Sequence, residues 1–291
     1  RFFLRVYFFK SKGKGENKMF DQKLKLYNGI EIPQLGLGTW LIDDDKVEEV
    51  VKTALKLGYR HIDTAEAYGN ERGVGRALKT CGIPREEIFL QTKLIAEAKT
   101  YAEAKKEIEL SFEKLGVDYI DLMIIHSPQP WATFRNGEHH FEGNLEAWKA
   151  LIEFYKQGKI KSIGVSNFEI VDIENLIKNS DVKPMVNQIL THISNTDFEL
   201  IKYCQDNDIV IEAYSPIAHG ELLDNQEVKL MADKYQVSIA QLCIQYTLQL
   251  GLVSLPKASS YDHLKSNIDL DFEISREDMM KLCQIDKIHS Y

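Results

Sequence analysis

The sequence predicts a single (β/α)₈ barrel that follows a short N-terminal β-hairpin and ends with extra C-terminal helices. A unit of one short apolar strand, one loop and one amphipathic helix repeats eight times from residue 34 onward. The length of 291 residues suits one large barrel or two smaller domains. No linker rich in Pro, Gly or Ser divides the chain, which favours one domain.

The predicted strands are short apolar runs that end at polar residues or turns. They cover residues 35–40, 59–65, 88–94, 120–126, 160–165, 185–190, 210–214 and 252–256. The predicted helices repeat apolar residues at a spacing of three or four. They cover residues 46–57, 72–79, 102–115, 145–157, 170–178, 196–206, 225–235, 239–250, 261–268 and 275–285. Residues 43–45, all aspartates, are candidates to cap the first helix.

Two short alternating runs, residues 23–26 and 30–32, flank Asn28-Gly29. Asn-Gly between alternating runs predicts a hairpin with a type I′ turn, in which both central residues have positive φ. We expect this hairpin to cover one end of the core.

A doubly wound nucleotide-binding sheet is the alternative α/β architecture. It would place the motif GxGxxG directly after the first strand. Gly36-Leu37-Gly38 lacks the third glycine, and Gly73-Val74-Gly75 lies inside a helical pattern. The sequence therefore favours the barrel.

Composition excludes several classes of function. The chain is 27% charged with a net charge of −8, so nothing indicates a nucleic-acid partner. No apolar run approaches the roughly 18 residues that a membrane span needs. Four scattered cysteines without a CxxC pair argue against a zinc site or a disulfide framework and predict a cytoplasmic protein.

The first eighteen residues differ from the rest. They contain six basic residues and one acidic residue, a balance of +5, which leaves −13 for residues 19–291. The apolar part is short and interrupted by arginine, so a signal peptide is disfavoured. We expect residues 1–18 to be a non-native or disordered extension in front of a barrel domain at residues 19–291.

Polar side chains follow the predicted strands where a barrel has its mouth. Asp63 lies near the end of the second strand and Tyr68 in the loop after it, while Lys93 lies at the end of the third strand and His126 ends the fourth. In such barrels chemistry collects at the C-terminal ends of the strands. One strand-end histidine or serine is usually structural, but four such groups on successive strands predict a catalytic site.

The four side chains make chemical sense together. A free phenol has a pKa near 10 and is a poor acid at neutral pH, and a neighbouring ammonium lowers that pKa. Lys93 would act on Tyr68 in this way, Asp63 would hold Lys93, and His126 would donate a hydrogen bond to a substrate oxygen. This set predicts proton donation to a group that develops negative charge, such as a carbonyl undergoing reduction.

Residues 19–291 resemble the aldo-keto reductase family, in particular its microbial diketogluconate and methylglyoxal reductase-like members. The matching motifs are LGLGTW at 35–40, GYRHIDTAEAYGNE at 58–71, GVSNF at 164–168, YSP at 214–216 and LPK at 255–257. The resemblance implies a monomer that reduces aldehydes or ketones with NADPH, without a metal. It implies that Tyr68 is the proton donor and that Asp63, Lys93 and His126 complete the catalytic tetrad.

The same resemblance implies the cofactor contacts. Ser166, Asn167 and Gln188 would hold the nicotinamide carboxamide, and Tyr214 would stack on the ring. The other contacts lie in loops around the mouth, namely Gly38, Thr39, Trp40, Asp63, Ser215, Pro216, Ile217, Lys257, Ala258, Ser259, Ser260, His263 and Asn267.

The 2′-phosphate end departs from the family pattern. His263 stands where the family carries an arginine, while Lys257, Ser259 and Ser260 are retained. Histidine lacks the permanent charge of arginine, so we expect NADPH with a weakened preference over NADH.

The substrate is expected to be a small carbonyl compound that contacts Tyr68 and His126 between the apolar walls Trp40 and Trp131. Two other functions stay open. One is a nucleotide-binding regulatory or sensor barrel with little turnover, which the complete tetrad argues against. The other is a barrel hydrolase or isomerase, which would need paired acid and base carboxylates or metal ligands.

Overall fold

The structure, a computed structural model, describes residues 22–287. The extension predicted at residues 1–18 lies outside this range. The described strands are β1 Lys23–Lys25, β2 Glu31–Pro33, β3 Leu37–Gly38, β4 His61–Asp63, β5 Phe89–Leu94, β6 Leu122–Ile125, β7 Ile163–Ser166, β8 Val186–Leu190, β9 Val210–Tyr214 and β10 Val253–Leu255. The described helices are α1 Asp44–Leu57, α2 Glu71–Thr80, α3 Tyr101–Leu115, α4 Phe141–Lys156, α5 Ile170–Asn179, α6 Phe198–Asp206, α7 Gln226–Tyr235, α8 Ile239–Gln249, α9 Tyr261–Ser266 and α10 Arg276–Leu282.

Strands β3 to β10 form one parallel eight-stranded sheet in sequence order. Parallel bridges from Leu35 to Ser254 and from Gly38 to Lys257 join its first and last strands into a barrel. Gly36 lies at this closure, where its backbone N–H donates to Ser254 O at 2.9 Å. A Cβ at Gly36 would meet the Leu255 side chain at 2.6 Å and the buried His61 ring at 2.9 Å, so the closure favours glycine. The predicted (β/α)₈ barrel is confirmed.

The N-terminal hairpin pairs β1 with β2 in antiparallel register. Leu26 and Ile32 are buried, and the Tyr27 hydroxyl donates to Lys183 O at 2.7 Å. Asn28 Nδ2 donates to Lys161 O at 3.0 Å. Both acceptors precede strands of the barrel, so the hairpin covers the amino-terminal end, opposite the mouth.

The predicted type I′ turn is wrong. Gly29 has a φ of 93°, whereas Asn28 is not among the residues with positive φ. The Leu26 N–H instead donates to Ile30 O at 2.8 Å, which closes a three-residue loop with glycine at its left-handed position. The side chain of Asn28 reaches the barrel from this loop.

Most predicted bounds hold to within a few residues. Helix α4 begins at Phe141, four residues before the prediction, so the loop after β6 is shorter than expected. Asp43 occupies the cap position of α1 without a side-chain cap bond, because its carboxylate accepts from Lys46 instead. Asp44 Oδ1 accepts from the Gly73 N–H at 2.6 Å, which ties α1 to α2.

The extra C-terminal helix α10 is anchored through one carboxylate. Asp278 Oδ2 accepts from Lys234 Nζ at 2.6 Å and from the Tyr235 hydroxyl at 2.5 Å. Within residues 22–287 no helix is long and apolar enough to cross a membrane. All four cysteines are free thiols.

Candidate active site

A buried ion pair lies at the centre of the barrel mouth. Lys93, in β5, is fully buried, and its Nζ lies 2.5 Å from Asp63 Oδ1 and 2.9 Å from Thr64 O. Burial lowers the pKa of Lys93, but Asp63 and Tyr68 outweigh burial and the net pKa is raised. The side chain is therefore an ammonium at neutral pH.

Tyr68 lies in a 3₁₀ turn, Glu66–Tyr68, directly after β4. The buried side chain of Asn70 fixes this turn, because its Nδ2 donates to Thr39 O and to Ile42 O at 2.9 Å each. The Lys93 ammonium lies 4.9 Å from the centre of the Tyr68 ring. The phenol predicted as a proton donor is therefore beside the predicted ammonium.

The net pKa of Tyr68 differs from the expectation. Burial raises the pKa most, Lys93 lowers it, and Asp63 raises it again, so the net direction is upward. The effect of Lys93 has the predicted sign, but the predicted net lowering is wrong because burial outweighs it. A raised pKa keeps the phenol protonated at neutral pH, so its proton is available for a more basic oxygen.

His126 follows β6 and lies across the mouth from Lys93. Burial, and then the charge of Lys93, hold its pKa well below the usual value, so the ring is neutral. Its ring centre lies 5.6 Å from that of Tyr68, and its Nδ1 is buried without a hydrogen-bond partner. A neutral imidazole beside the phenol can donate one hydrogen bond without carrying charge.

An aromatic wall continues from His126 along the loop after β6. The Trp131 ring lies 4.8 Å from His126 and nearly perpendicular to it, and Phe134 lies 5.1 Å from Trp131. The backbone N–H of Trp131 donates to Glu97 Oε1 at 3.1 Å. Trp131 therefore lies beside the tetrad, as expected of a substrate wall. Sequence reasoning missed Phe134, because loop aromatics follow no period.

Trp40, the other expected wall, makes a different contact. Its ring lies 4.9 Å from that of His219, in the loop after β9. Sequence reasoning missed His219, which has a φ of 52°. The contact joins the loops after the first and seventh barrel strands across the mouth.

The residues expected at the nicotinamide carboxamide form one hydrogen-bonded group. Asn167 Nδ2 donates to Ser166 Oγ at 3.0 Å and to His126 O at 3.2 Å. The Tyr214 hydroxyl donates to Asn167 Oδ1 at 2.8 Å, and Ser166 Oγ donates to Gln188 O at 2.8 Å. The donor groups of these side chains are thus used within the protein, while their oxygens can still accept hydrogen bonds. This arrangement fits the N–H₂ group of a carboxamide, which donates.

The residues expected at the adenosine end lie on the adjacent rim. Lys257, Ser259, Ser260 and His263 are exposed, and Lys257 Nζ lies 3.5 Å from Ser259 Oγ. Ser260 Oγ accepts from the backbone N–H of His263 at 3.3 Å and so caps α9. Asn267, at the end of α9, is buried.

The other expected cofactor contacts surround the same opening. Thr39 Oγ1 donates to Asp63 O at 3.0 Å, and Gly38 bridges to Lys257. Ser215 has a φ of 50° at the start of the loop after β9. Pro216, Ile217 and Ala258 lie in this loop and its neighbour, and all three are buried or half-buried. The structure thus brings all of the predicted site residues to one end of the barrel.

Below the tetrad lies a polar group that sequence reasoning missed. His61, Gln91 and Glu212 are fully buried inside the barrel. A glutamate in the middle of the apolar strand β9 is the signal that could have revealed this group.

Comparison with known proteins agrees with this geometry. The Aldo/keto reductase family model matches residues 34–287. A glyoxal reductase of Bacillus subtilis is 41% identical over 266 residues, covering 91% of this chain and 92% of that protein. Methylglyoxal reductase DkgA of Escherichia coli is 38% identical over 267 residues, covering 91% and 93%.

A solved structure gives the same result. The aldo-keto reductase of Bombyx mori in complex with NADP superimposes with a TM-score of 0.81 at 32% identity, covering 91% of this chain and 93% of that chain. With the barrel, the tetrad geometry and these matches together, the chain belongs to the aldo/keto reductase family.

Proposed function

We propose that this protein reduces aldehydes and ketones to alcohols with NADPH, and that small 2-oxoaldehydes are its preferred substrates. The observation that carries the proposal is the buried Asp63–Lys93 pair beside Tyr68, with neutral His126 at the same mouth. A sensor barrel would have no use for a phenol held beside a buried ammonium.

Each member of the tetrad has one task. Bound NADPH supplies the hydride, which carries two electrons to the carbonyl carbon. The Tyr68 hydroxyl gives its proton to the carbonyl oxygen, which becomes the alcohol. Lys93 stabilises the phenolate left on Tyr68 until solvent returns a proton, and Asp63 holds Lys93 in place. Neutral His126 donates a hydrogen bond to the same substrate oxygen.

The chain's own residues hold the cofactor. Acceptor oxygens of Ser166, Asn167 and Gln188 would bind the carboxamide, and Tyr214 would pack on the nicotinamide ring. At the other end Lys257, assisted by Ser259 and Ser260, would bind the 2′-phosphate, and Asn267 would contact the adenine. His263 adds less attraction than an arginine would, so NADH is also accepted, more weakly.

The names of the relatives and the aromatic side chain of Trp131 support the proposed substrate class. The relatives named glyoxal reductase and methylglyoxal reductase act on small dicarbonyl compounds, as their names state. Trp131 lies against His126, so an apolar ring borders the space beside the reacting oxygen. Four free thiols support a cytoplasmic location, and we propose a monomer.

The test is NADPH consumption with glyoxal, methylglyoxal and simple aldehydes, comparing the wild type with Tyr68→Phe. Loss of the proton donor should lower kcat by about 10²- to 10⁴-fold. NADPH affinity, measured by fluorescence quenching, should change little. A Tyr68→Phe variant with unchanged kcat would refute the mechanism. A wild type that binds NADPH but turns over no carbonyl compound would favour the sensor.

A further inference from the structure

The barrel interior below Asp63 holds a carboxyl side chain that the tetrad does not use. Glu212 lies in the middle of β9, in register with Gln188 of β8 and Val253 of β10, and is fully buried. Barrel interiors are usually filled by branched apolar residues, and burial of a carboxylate is costly unless donors surround it. Glu212 therefore needs a structural reason.

Two amides supply those donors, and both meet the same oxygen. Gln188 Nε2 donates to Glu212 Oε2 at 2.8 Å, and Gln91 Nε2 donates to it at 2.6 Å. The second oxygen, Oε1, has no hydrogen-bond partner and lies 3.7 Å from His61 Nε2. Burial raises the pKa of Glu212, which favours the protonated form. A proton on Oε1 would still leave Oε2 free to accept hydrogen bonds from both amides.

Gln188 also bonds to the tetrad. Its Nε2 lies 3.2 Å from Asp63 Oδ1, the oxygen that accepts from Lys93. A primary amide nitrogen has two hydrogens, and here both point at carboxyl oxygens. The reversed amide, which has almost the same shape, would set its oxygen against both carboxyl groups. Gln188 Oε1 is therefore turned away from Glu212 and Asp63, and it is the acceptor that this side chain can offer to a ligand.

We propose that Glu212 is a positioning residue that fixes the orientation of the Gln188 amide, so that Oε1 accepts an N–H from the nicotinamide carboxamide. The inference rests on the proposed NADPH-dependent function. Asp63 makes the longer of the two bonds to Gln188 Nε2 and is also bound by Lys93, so Glu212 is the stronger restraint. A carboxamide can donate to Oε1, whereas an acetyl group in its place cannot.

The test compares NADP⁺ with its 3-acetylpyridine analogue, which differs only in that group. Dissociation constants come from fluorescence quenching of the full chain. The wild type should prefer NADP⁺. In Glu212→Met, which has similar volume and no oxygen, only the longer bond to Asp63 still holds the Gln188 amide, so the amide can turn more readily and donate to the acetyl oxygen. The preference should then fall about three- to tenfold, the worth of one hydrogen bond.

Glu212→Gln is the matched control, because its amide oxygen can replace Oε2 and still accept from both neighbours. It should keep the wild-type preference. Thermal unfolding of each variant without nucleotide shows whether it folds. If Glu212→Met does not fold, Glu212→Asp replaces it. Its shorter side chain keeps the carboxyl group but withdraws the oxygen from Gln188. The preference of this variant for NADP⁺ should also fall.

The outcomes separate the two proposals. A folded Glu212→Met or Glu212→Asp variant that keeps the full preference for NADP⁺ overturns the positioning role of Glu212 and leaves the reductase proposal intact. A wild type that binds neither nucleotide overturns both. A preference that falls in Glu212→Met and stays in Glu212→Gln supports the inference.

Discussion

The two ends of the proposed cofactor cleft differ in how their polar side chains are held. At the nicotinamide end Asp63, Lys93 and Gln188 are almost fully buried and joined by hydrogen bonds. At the adenosine end Lys257 is exposed, with one hydrogen bond of 3.5 Å to Ser259. The groups proposed to act on the reacting atoms are thus oriented before any ligand arrives, whereas those proposed to bind phosphate can adapt to it. Substitutions at the first end should cost rate and stability, and those at the second should cost affinity alone.

The largest expected effect comes from breaking the buried pair. Lys93→Met leaves the Asp63 carboxylate buried without its ammonium, which should lower the free energy of unfolding by about 3 kcal/mol or more. Carbonyl reduction should also nearly disappear, because Tyr68 loses the cation that stabilises its phenolate. Urea denaturation and NADPH-consumption assays measure the two effects.

The matched control is the double variant Asp63→Asn with Lys93→Met, which removes both charges. It should recover much of the lost stability while remaining inactive. If Lys93→Met alone is as stable as the wild type, the interpretation of Asp63 and Lys93 as a tightly coupled buried pair is wrong.

The proximity of the tetrad side chains could be predicted from the sequence because each lies near the end of a strand or in the loop after it, and a barrel brings these segments together. The net pKa of Tyr68 could not, because burial is set by loops distant in sequence and outweighs Lys93. The Gln91–Glu212 contact joins residues 121 positions apart, so only the closed barrel reveals it. The hairpin loop differs from the predicted turn, and Asn28 makes from it a contact with the barrel that the local sequence does not reveal.

An effect of intermediate size is expected at the adenosine end of the proposed cleft. Lys257→Met removes the ammonium proposed to meet the 2′-phosphate, so NADPH should bind about tenfold more weakly, the loss of one charge-assisted hydrogen bond. The value of kcat at saturating NADPH should stay near that of the wild type, because the tetrad is untouched. NADH, which lacks the phosphate, serves as the control ligand, and its affinity should not change. An equal loss for both nucleotides would place Lys257 away from the phosphate.

The smallest expected effect is an increased preference for NADPH, from a substitution at the same end of the cleft. His263→Arg introduces a permanent charge with two parallel N–H donors, so the preference for NADPH over NADH should rise about threefold. The gain is modest because His263 is exposed and solvent screens the added charge. The ratio of kcat/KM for the two nucleotides measures it, and the gain should shrink as salt concentration rises. His263→Gln, which adds donors without charge, separates attraction from hydrogen bonding. An unchanged ratio in His263→Arg at low salt would mean that the 2′-phosphate does not lie near α9, and the comparison between the two ends would then rest on Lys257 alone.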